Sequence, residues 1–196
     1  MAKSPVAGRV KTRLGAEIGS IAATGFYRAA SRAVIRRLSR DTRWRTVVSV
    51  TPDRDLLKPF WPSDVARVGQ GRGELDERMQ RVMDQMPPGP VVLIGTDIPA
   101  VRPCHIAAAF RALGGADAVF GPANDGGYWM VGQRRVPRRI AAFDGVRWST
   151  MHALEDTRQN LTDYDVTEGA RLSDIDTGAE FLAVEGWCGR VLLPVV

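Results

Sequence analysis

A short apolar run that ends in an acid places the strongest constraint on the fold of this chain. Val91–Ile94 is too short for a free-standing helix, and Pro90 and Gly95 bound it, so it predicts a buried parallel strand. Thr96 and Asp97 follow directly. Because ligands of open α/β sheets bind beyond the carboxyl ends of the strands, Asp97 is the first candidate for a functional side chain.

A glycine-rich loop follows the next predicted strand. That strand is Ala118–Phe120, and the loop after it reads GPANDGGYW. Two adjacent glycines, Gly126 and Gly127, stand beside Asp125, and glycines allow a backbone to approach a bound ligand closely. The loop therefore predicts a second wall of the same site.

The first loop of the chain is strongly basic. Pro5 and Gly8 favour a loop, and four cations crowd it: Lys3, Arg9, Lys11 and Arg13. Such cations repel one another unless an anion is present, and backbone N–H groups before a helix can also face phosphate. The loop predicts a cradle for a polyphosphate, and a solvated basic N-terminal segment is the alternative interpretation.

Strand and helix patterns alternate along the chain. Apolar residues recur every fourth position between Phe26 and Leu38 and predict a helix over residues 17–40, while residues 46–50 and 65–68 read as strands. The alternation predicts the α/β class, with three layers and a mostly parallel sheet that helices cover on both faces.

Length and composition exclude several classes of protein. At 196 residues and 44% hydrophobic, the chain fits a single domain over residues 1–196. Its apolar runs are far shorter than a membrane span and no secretory signal is visible, so we expect a cytoplasmic protein without a membrane span. The 27 basic residues are spread along the chain, which argues against nucleic acid as a partner despite the net charge of +5.

Two acids from distant parts of the chain, Asp97 and Asp176, complete a recognisable set with the basic loop. Mg²⁺ prefers an octahedral oxygen shell to which one or two carboxylates and substrate phosphates contribute. The pair therefore predicts a Mg²⁺ (or Mn²⁺) site at which the metal neutralises a polyphosphate while lysines hold other oxygens. Asp174 and Asp176 also precede a predicted helix, so helix capping is the alternative interpretation for both.

Several motifs together resemble a known bacterial family. The segments KSPVAGRVKTRL, QGRGELDERM, GTDIP, GPANDGGYWMVG, RWST and SDIDT occur in the order seen in the radical-SAM/selenodomain-associated transferases, also called arsenosugar-biosynthesis-type glycosyltransferases. That family belongs to the nucleotide-diphospho-sugar transferase superfamily and is similar to the 2-phospholactate guanylyltransferases. The resemblance covers nearly the whole chain. It implies a GT-A-like fold and a metal-dependent transferase that uses a nucleotide-activated donor and a small-molecule acceptor.

The resemblance also implies roles for individual residues. Those expected to bind the nucleotide are Lys3, Lys11, Arg13, Gln70 and Arg78. Those expected to act in catalysis are Lys11, Arg13 and Asp97, and the metal would be held by Asp97 and Asp176. Those expected to form the acceptor pocket are Asp125, Gly126, Gly127 and Tyr128.

The chain departs from the family at its start. In the family a complete strand precedes the first loop, whereas here only Met1 and Ala2 precede Lys3. A central strand that is cut short leaves backbone groups unpaired. We therefore expect a truncated first strand here and a longer natural chain, which the intact mass of the natural protein would check.

Two reactions of this fold remain open from the sequence. Glycosyltransferases of this fold usually carry an Asp-x-Asp pair after the mid-sheet strand, whereas GTDIP offers the single acid Asp97, which slightly favours nucleotidyl transfer. The family name favours glycosyl transfer. A non-catalytic or degenerate nucleotide-binding domain is the third interpretation, because the first strand is short.

Overall fold

The computed structural model describes residues 1–185, which form an alternating series of strands and helices. The strands are β1 Ala2–Lys3, β2 Val47–Thr51, β3 Ala66–Gly69, β4 Val91–Ile94, β5 Ala118–Pro122, β6 Tyr128–Gln133 and β7 Val166–Glu168. The helices are α1 Thr12–Ile18, α2 Ser20–Ser39, α3 Leu75–Gln85, α4 Pro103–Ala112, α5 Ala153–Gln159 and α6 Gly178–Glu185, with a short 3₁₀ helix at Asp53–Asp55.

The strands form two adjoining sheets. The first has the order β1-β2-β3 and is parallel throughout, and the second has the order β4-β6-β5-β7. In the second sheet β6 runs antiparallel to β4 and β5, while β7 is parallel to β5. The Met1 amine donates a hydrogen bond of 2.5 Å to the Ile94 carbonyl, so β1 lies between β2 and β4. The predicted α/β class is confirmed.

Helices cover the second sheet on both faces. On one face, Phe120 of β5 and Val131 of β6 pack in one buried cluster with Met83 of α3. On the other face, the neighbouring Val119 and Met130 pack with side chains of α2 and α4. This alternation is what a strand produces when it is buried on both sides, and it makes the three layers that the sequence predicts.

The shortness of β1 divides the sheet. Its two residues pair with Val50 and Thr51, so the first half of β2 has no neighbour on that side among residues 1–185. A cavity of about 550 Å³ with mostly apolar walls lies there, lined by residues of both β2 and β4. The structure thus contains a first strand of only two residues, as short as the sequence leads us to expect.

The helices begin and end where local chemistry sets their limits. The helix predicted over 17–40 is two helices, because Gly19 has a φ of 88° and turns the chain between α1 and α2. Helix α3 begins with a reciprocal capping box between Glu74 and Glu77, and α4 begins with Pro103. Within residues 1–185, no helix is long and apolar enough to cross a bilayer.

We predict that Phe120→Ala destabilises the protein severely. The Phe120 side chain is fully buried in β5, and its ring centroid lies 5.1 Å from that of Tyr128. Truncation removes buried apolar surface and leaves a cavity, so the free energy of unfolding should fall by about 3–5 kcal/mol in urea titrations. Leu57→Ala is the control, since Leu57 is 88% exposed and should change stability by no more than about 0.5 kcal/mol. Equal losses in the two variants would contradict this view of the core.

Candidate functional site

A pocket of about 280 Å³ opens at the carboxyl end of β4, where the chain turns towards α4. The carboxylates of Asp97 and Asp174 line its acidic part. Its apolar part is lined by side chains that also pack against the core on the α3 side: Leu75, Met79, Tyr128 and Trp148. The pocket thus joins a charged region to an aromatic one, as small-molecule sites commonly do.

Three aspartates surround the ammonium of Lys11 beside this pocket. The Lys11 Nζ lies 2.8 Å from Asp97 Oδ2, 2.8 Å from Asp174 Oδ2 and 2.7 Å from Asp176 Oδ1. The Lys11 side chain is only 3% exposed, whereas the three carboxylates are about one-third exposed. We call these four residues the Lys11 cluster. It joins the start of α1, the loop after β4 and the segment before α6.

The charges of the Lys11 cluster do not balance. Burial by itself lowers the pKa of the Lys11 ammonium, but the three carboxylates outweigh burial and raise this pKa well above its ordinary value. The pKa of Asp174 is raised because burial, together with Asp176 and Asp97, outweighs the attraction of Lys11. The cluster therefore holds one cation among three acids and attracts further positive charge.

The structure brings the two predicted metal acids together. Asp97 and Asp176 contact the same nitrogen, although they are 79 positions apart in the sequence. Asp174 joins them, a residue for which the sequence suggested helix capping at most. The signal for it was the Asp-x-Asp spacing at 174–176, because residues two apart in an extended segment point to the same side.

The donor set of the Lys11 cluster fits a hard divalent cation. Three carboxylate oxygens converge on one point at 2.7–2.8 Å, which is the spacing of an ammonium, whereas Mg²⁺ binds oxygen at about 2.0–2.1 Å. As arranged here, no group of three or more His, Cys, Asp or Glu side chains in residues 1–185 could hold a metal ion, and the three aspartates are too widely spaced to do so. The Mg²⁺ (or Mn²⁺) site stays a prediction that requires the ammonium to move.

The residues predicted to bind the nucleotide fall into two groups. Arg13 is 73% exposed, and its guanidinium lies 3.8 Å from Asp176, so it stands at the rim of the Lys11 cluster. Lys3 is exposed at the end of β1, before the basic loop. Gln70, by contrast, is 2% exposed and donates hydrogen bonds to the carbonyls of Ala2 and Ser49, while its amide oxygen accepts one from Arg78. In this conformation Gln70 has no free edge for a base, and these nucleotide-binding roles stay predictions.

Three of the four predicted acceptor residues line the pocket: Asp125, Gly127 and Tyr128. The carboxylate of Asp125 accepts a 2.9 Å hydrogen bond from the Gly127 N–H and so fixes the turn. The Tyr128 hydroxyl lies 3.3 Å from that of Thr157. Burial raises the pKa of Tyr128 despite this hydrogen bond, so its phenol stays protonated.

The fourth residue, Gly126, does not line the pocket but contacts the segment at the start of α5. Its φ is 84°, and a Cβ at this position would lie 2.1 Å from the Met151 carbonyl oxygen. Its own carbonyl accepts a hydrogen bond from the Leu154 N–H. Gly126 therefore allows close contact with the segment before α5 and shapes the pocket from behind.

A covering segment, residues 144–150, was missed by sequence reasoning. Trp148, Ser149 and Thr150 line the pocket. The Asp156 carboxylate accepts hydrogen bonds from the Arg147 backbone N–H and guanidinium at 2.7–3.0 Å, and this pairing lowers the pKa of Asp156 to about 2. The RWST motif was the available signal, but its role depends on an acid nine residues further along the chain.

The fold and the position of this site define a class. The chain has a GT-A-like α/β fold of the kind found in nucleotide-diphospho-sugar transferases, with its pocket and acids at the carboxyl end of β4. It belongs to the family described as "Uncharacterized protein conserved in bacteria (DUF2064)", whose model matches residues 34–150.

Solved structures agree with this class. A protein of Desulfovibrio desulfuricans G20, described provisionally as a nucleotide-diphospho-sugar transferase, is similar with a TM-score of 0.85 and 26% identity, covering 97% of this chain and 86% of its own. The 4-diphosphocytidyl-2C-methyl-D-erythritol synthase of Anaerococcus prevotii DSM 20548 is similar in fold, with a TM-score of 0.57 and 12% identity over 82% of this chain and 86% of its own. Comparison with curated proteins gives no match. The narrower resemblance to radical-SAM-associated transferases and 2-phospholactate guanylyltransferases stays a prediction.

We predict that Gly126→Ala costs more stability than Gly145→Ala. Both glycines have positive φ, at 84° and 66°, so alanine is strained at both positions by roughly 1–2 kcal/mol. Only at position 126 does the new methyl group also collide with backbone, at Met151, because nothing lies within 4 Å of a Cβ at position 145. Urea unfolding should show a clearly larger loss for Gly126→Ala. Equal losses would show that the loop and the α5 segment separate easily.

Proposed function

We infer that the protein is a metal-dependent transferase that moves a nucleotidyl or glycosyl group from an NTP or nucleotide sugar to a small acceptor. The observation that carries this proposal is the convergence of Asp97, Asp174 and Asp176 on one point at the edge of a pocket with an aromatic part. A concentrated set of carboxylates beside a basic segment is what a transferase needs to hold a divalent cation and a phosphorylated donor together.

The donor side of the proposal rests on charge. Three carboxylates would repel a polyphosphate, so a donor can approach only when a divalent cation joins the two. Such a cation, when bound, neutralises phosphate charge and makes the donor open to attack. Lys3, at the end of β1, and Arg13, in the first turn of α1, are exposed on either side of the basic loop and would hold phosphate oxygens. Within this chain, the acids hold the cation and the loop orients the donor.

The acceptor side rests on the size and lining of the pocket. About 280 Å³ is at the lower limit of the roughly 300–1,000 Å³ typical of ligand pockets, which favours a small acceptor. Tyr128 and Trp148 offer aromatic faces, with ring centroids 6.2 Å apart. The acceptor would therefore combine a small apolar or sugar-like body with a nucleophilic oxygen directed towards Asp97.

The comparisons support the donor class. The Desulfovibrio protein, which is 26% identical over 97% of this chain, is described as a nucleotide-diphospho-sugar transferase. The choice between nucleotidyl and glycosyl transfer stays open. The lack of an Asp-x-Asp pair after β4 no longer argues against glycosyl transfer, because Asp174 and Asp176 supply such a pair beside Asp97.

We predict that the correct nucleotide raises the melting temperature only when Mg²⁺ is present. At 100 times the dissociation constant a ligand stabilises the fold by about 2.7 kcal/mol. For a chain of this size that corresponds to roughly 5–10 °C. A thermal-shift screen of NTPs and nucleotide sugars, with Mg²⁺ or with EDTA, measures this. Asp97→Asn should abolish the shift, whereas Asp84→Asn, an acid of similar exposure that contacts Arg139 at 3.6 Å, should retain it.

The products then distinguish the reactions. Incubation of the best nucleotide with a panel of small acceptors and Mg²⁺ should release pyrophosphate if the protein is a nucleotidyltransferase and a nucleoside diphosphate if it is a glycosyltransferase. Asp97→Asn should slow either reaction by roughly a hundredfold or more, since it removes a charge that acts on the transition state. A nucleotide that binds equally well to Asp97→Asn and yields no product would instead indicate a non-catalytic nucleotide-binding domain.

A further inference from the structure

The position of Lys11 conflicts with the role that the basic loop suggests for it. A lysine that holds phosphate should extend into the donor site, as the exposed Lys3 and Arg13 can. The Lys11 side chain instead is 3% exposed, and its ammonium forms ion pairs with three carboxylates. Its Nζ lies at the point on which those oxygens converge, which is also where a metal ion would have to sit.

An ammonium and a divalent cation cannot share this point. Mg²⁺ would draw the carboxylate oxygens in to about 2.0–2.1 Å and would place its own charge against Lys11 Nζ. The acids outnumber the lysine by three to one, so the cluster still attracts a cation of higher charge. Occupation by the metal therefore requires that Lys11 leave.

The backbone at Lys11 is held in a conformation that favours such a departure. Lys11 has φ 45° and ψ 51°, the left-handed region, which costs a non-glycine residue roughly 1–2 kcal/mol. The residue lies just before α1, at the end of a loop whose residues 6–9 are exposed. The Lys11 carbonyl accepts a 2.8 Å hydrogen bond from the Gly15 N–H, so a displaced side chain would turn about an anchored backbone.

We propose that Lys11 is a resident cation that a divalent metal displaces. Without metal, the ammonium holds Asp97, Asp174 and Asp176 together and preserves the site. A divalent cation bound by these three acids would displace the Lys11 ammonium from them and would supply the charge that neutralises a polyphosphate. This proposal rests on the proposed function for the identity of the donor, but the exchange itself involves only Lys11, three acids and the metal.

The first test uses the unsubstituted chain, because residues 1–196 contain just three lysines: Lys3, Lys11 and Lys58. Reductive methylation followed by peptide mass spectrometry reads each one separately. With EDTA, Lys3 and Lys58 should be modified while Lys11 is protected; with saturating Mg²⁺ or Mn²⁺, Lys11 should become modified at a rate near that of Lys58, which is 47% exposed. Continued protection of Lys11 at metal concentrations that saturate binding would overturn the proposal.

The second test measures metal affinity directly, by titration with Mn²⁺ and EPR detection of the free ion. If Lys11 occupies the site at least about 90% of the time, Lys11→Met should tighten Mn²⁺ binding by at least about tenfold. Arg13→Met is the matched control, since it removes one positive charge 3.8 Å from Asp176 without vacating the position. It should change affinity much less. If both variants gained the same Mn²⁺ affinity, the gain would come from the change in net charge alone, and this would contradict the proposed exchange.

A double variant locates the metal. Lys11→Met combined with Asp97→Asn should lose the gain in Mn²⁺ affinity, and a gain that persists would place the ion elsewhere and refute the proposal. Should Lys11→Met fold poorly, Mn²⁺ should restore its melting temperature, because the three acids then regain a cation. The methylation and Mn²⁺-titration experiments contain no nucleotide. Their results therefore do not depend on whether the transfer assays detect a product.

Discussion

The contact between the Lys11 ammonium and its three carboxylates joins parts of the chain that are far apart in sequence. Lys11 and the Asp174–Asp176 segment are separated by more than 160 positions, yet they meet the loop after β4 at one nitrogen. Buried charges persist in a folded protein only when they are paired, since an unpaired one costs several kcal/mol. The same pairing thus closes the fold at its C-terminal side and gathers the acids that the proposed chemistry needs.

The second wall of the pocket depends on a different constraint, the close approach of the glycine-rich loop to α5. Gly126 admits the Met151 backbone, and Tyr128 reaches Thr157 on the helix itself. Asp156 of the same helix holds Arg147 and with it the covering segment. Helix α5 and the residues just before it therefore position both the glycine-rich loop and the covering segment, although α5 contributes only Ala153 to the lining.

Local pattern was sufficient to predict the parts of the fold that are governed by local rules. The apolar run before Asp97 predicted a strand and the end at which the pocket opens, but it was wrong about direction and burial, because β4 pairs antiparallel with β6 and only Leu93 of its four residues is buried. The roles of Lys11 and Gln70 could not be read in this way. A basic loop suggests an anion and a glutamine suggests a base, but here Lys11 meets acids and Gln70 meets backbone carbonyls, and each partner comes from a distant segment. The antiparallel direction of β6 could not be predicted either, because the pattern of apolar residues in a strand does not show which way the strand runs in the sheet.

The identity of residue 11 follows from the number of acids around it. An ammonium carries three N–H groups on one small centre, so it can donate one hydrogen bond to each of three oxygens that surround it. A guanidinium is planar and favours paired contacts with one carboxylate, so it cannot take the central position among three. In a chain with 27 basic residues of which 24 are arginine, a lysine at this point is therefore explained by Asp97, Asp174 and Asp176. The same compactness lets the ammonium lie where the proposed divalent cation would bind, and the proposed exchange follows from this overlap.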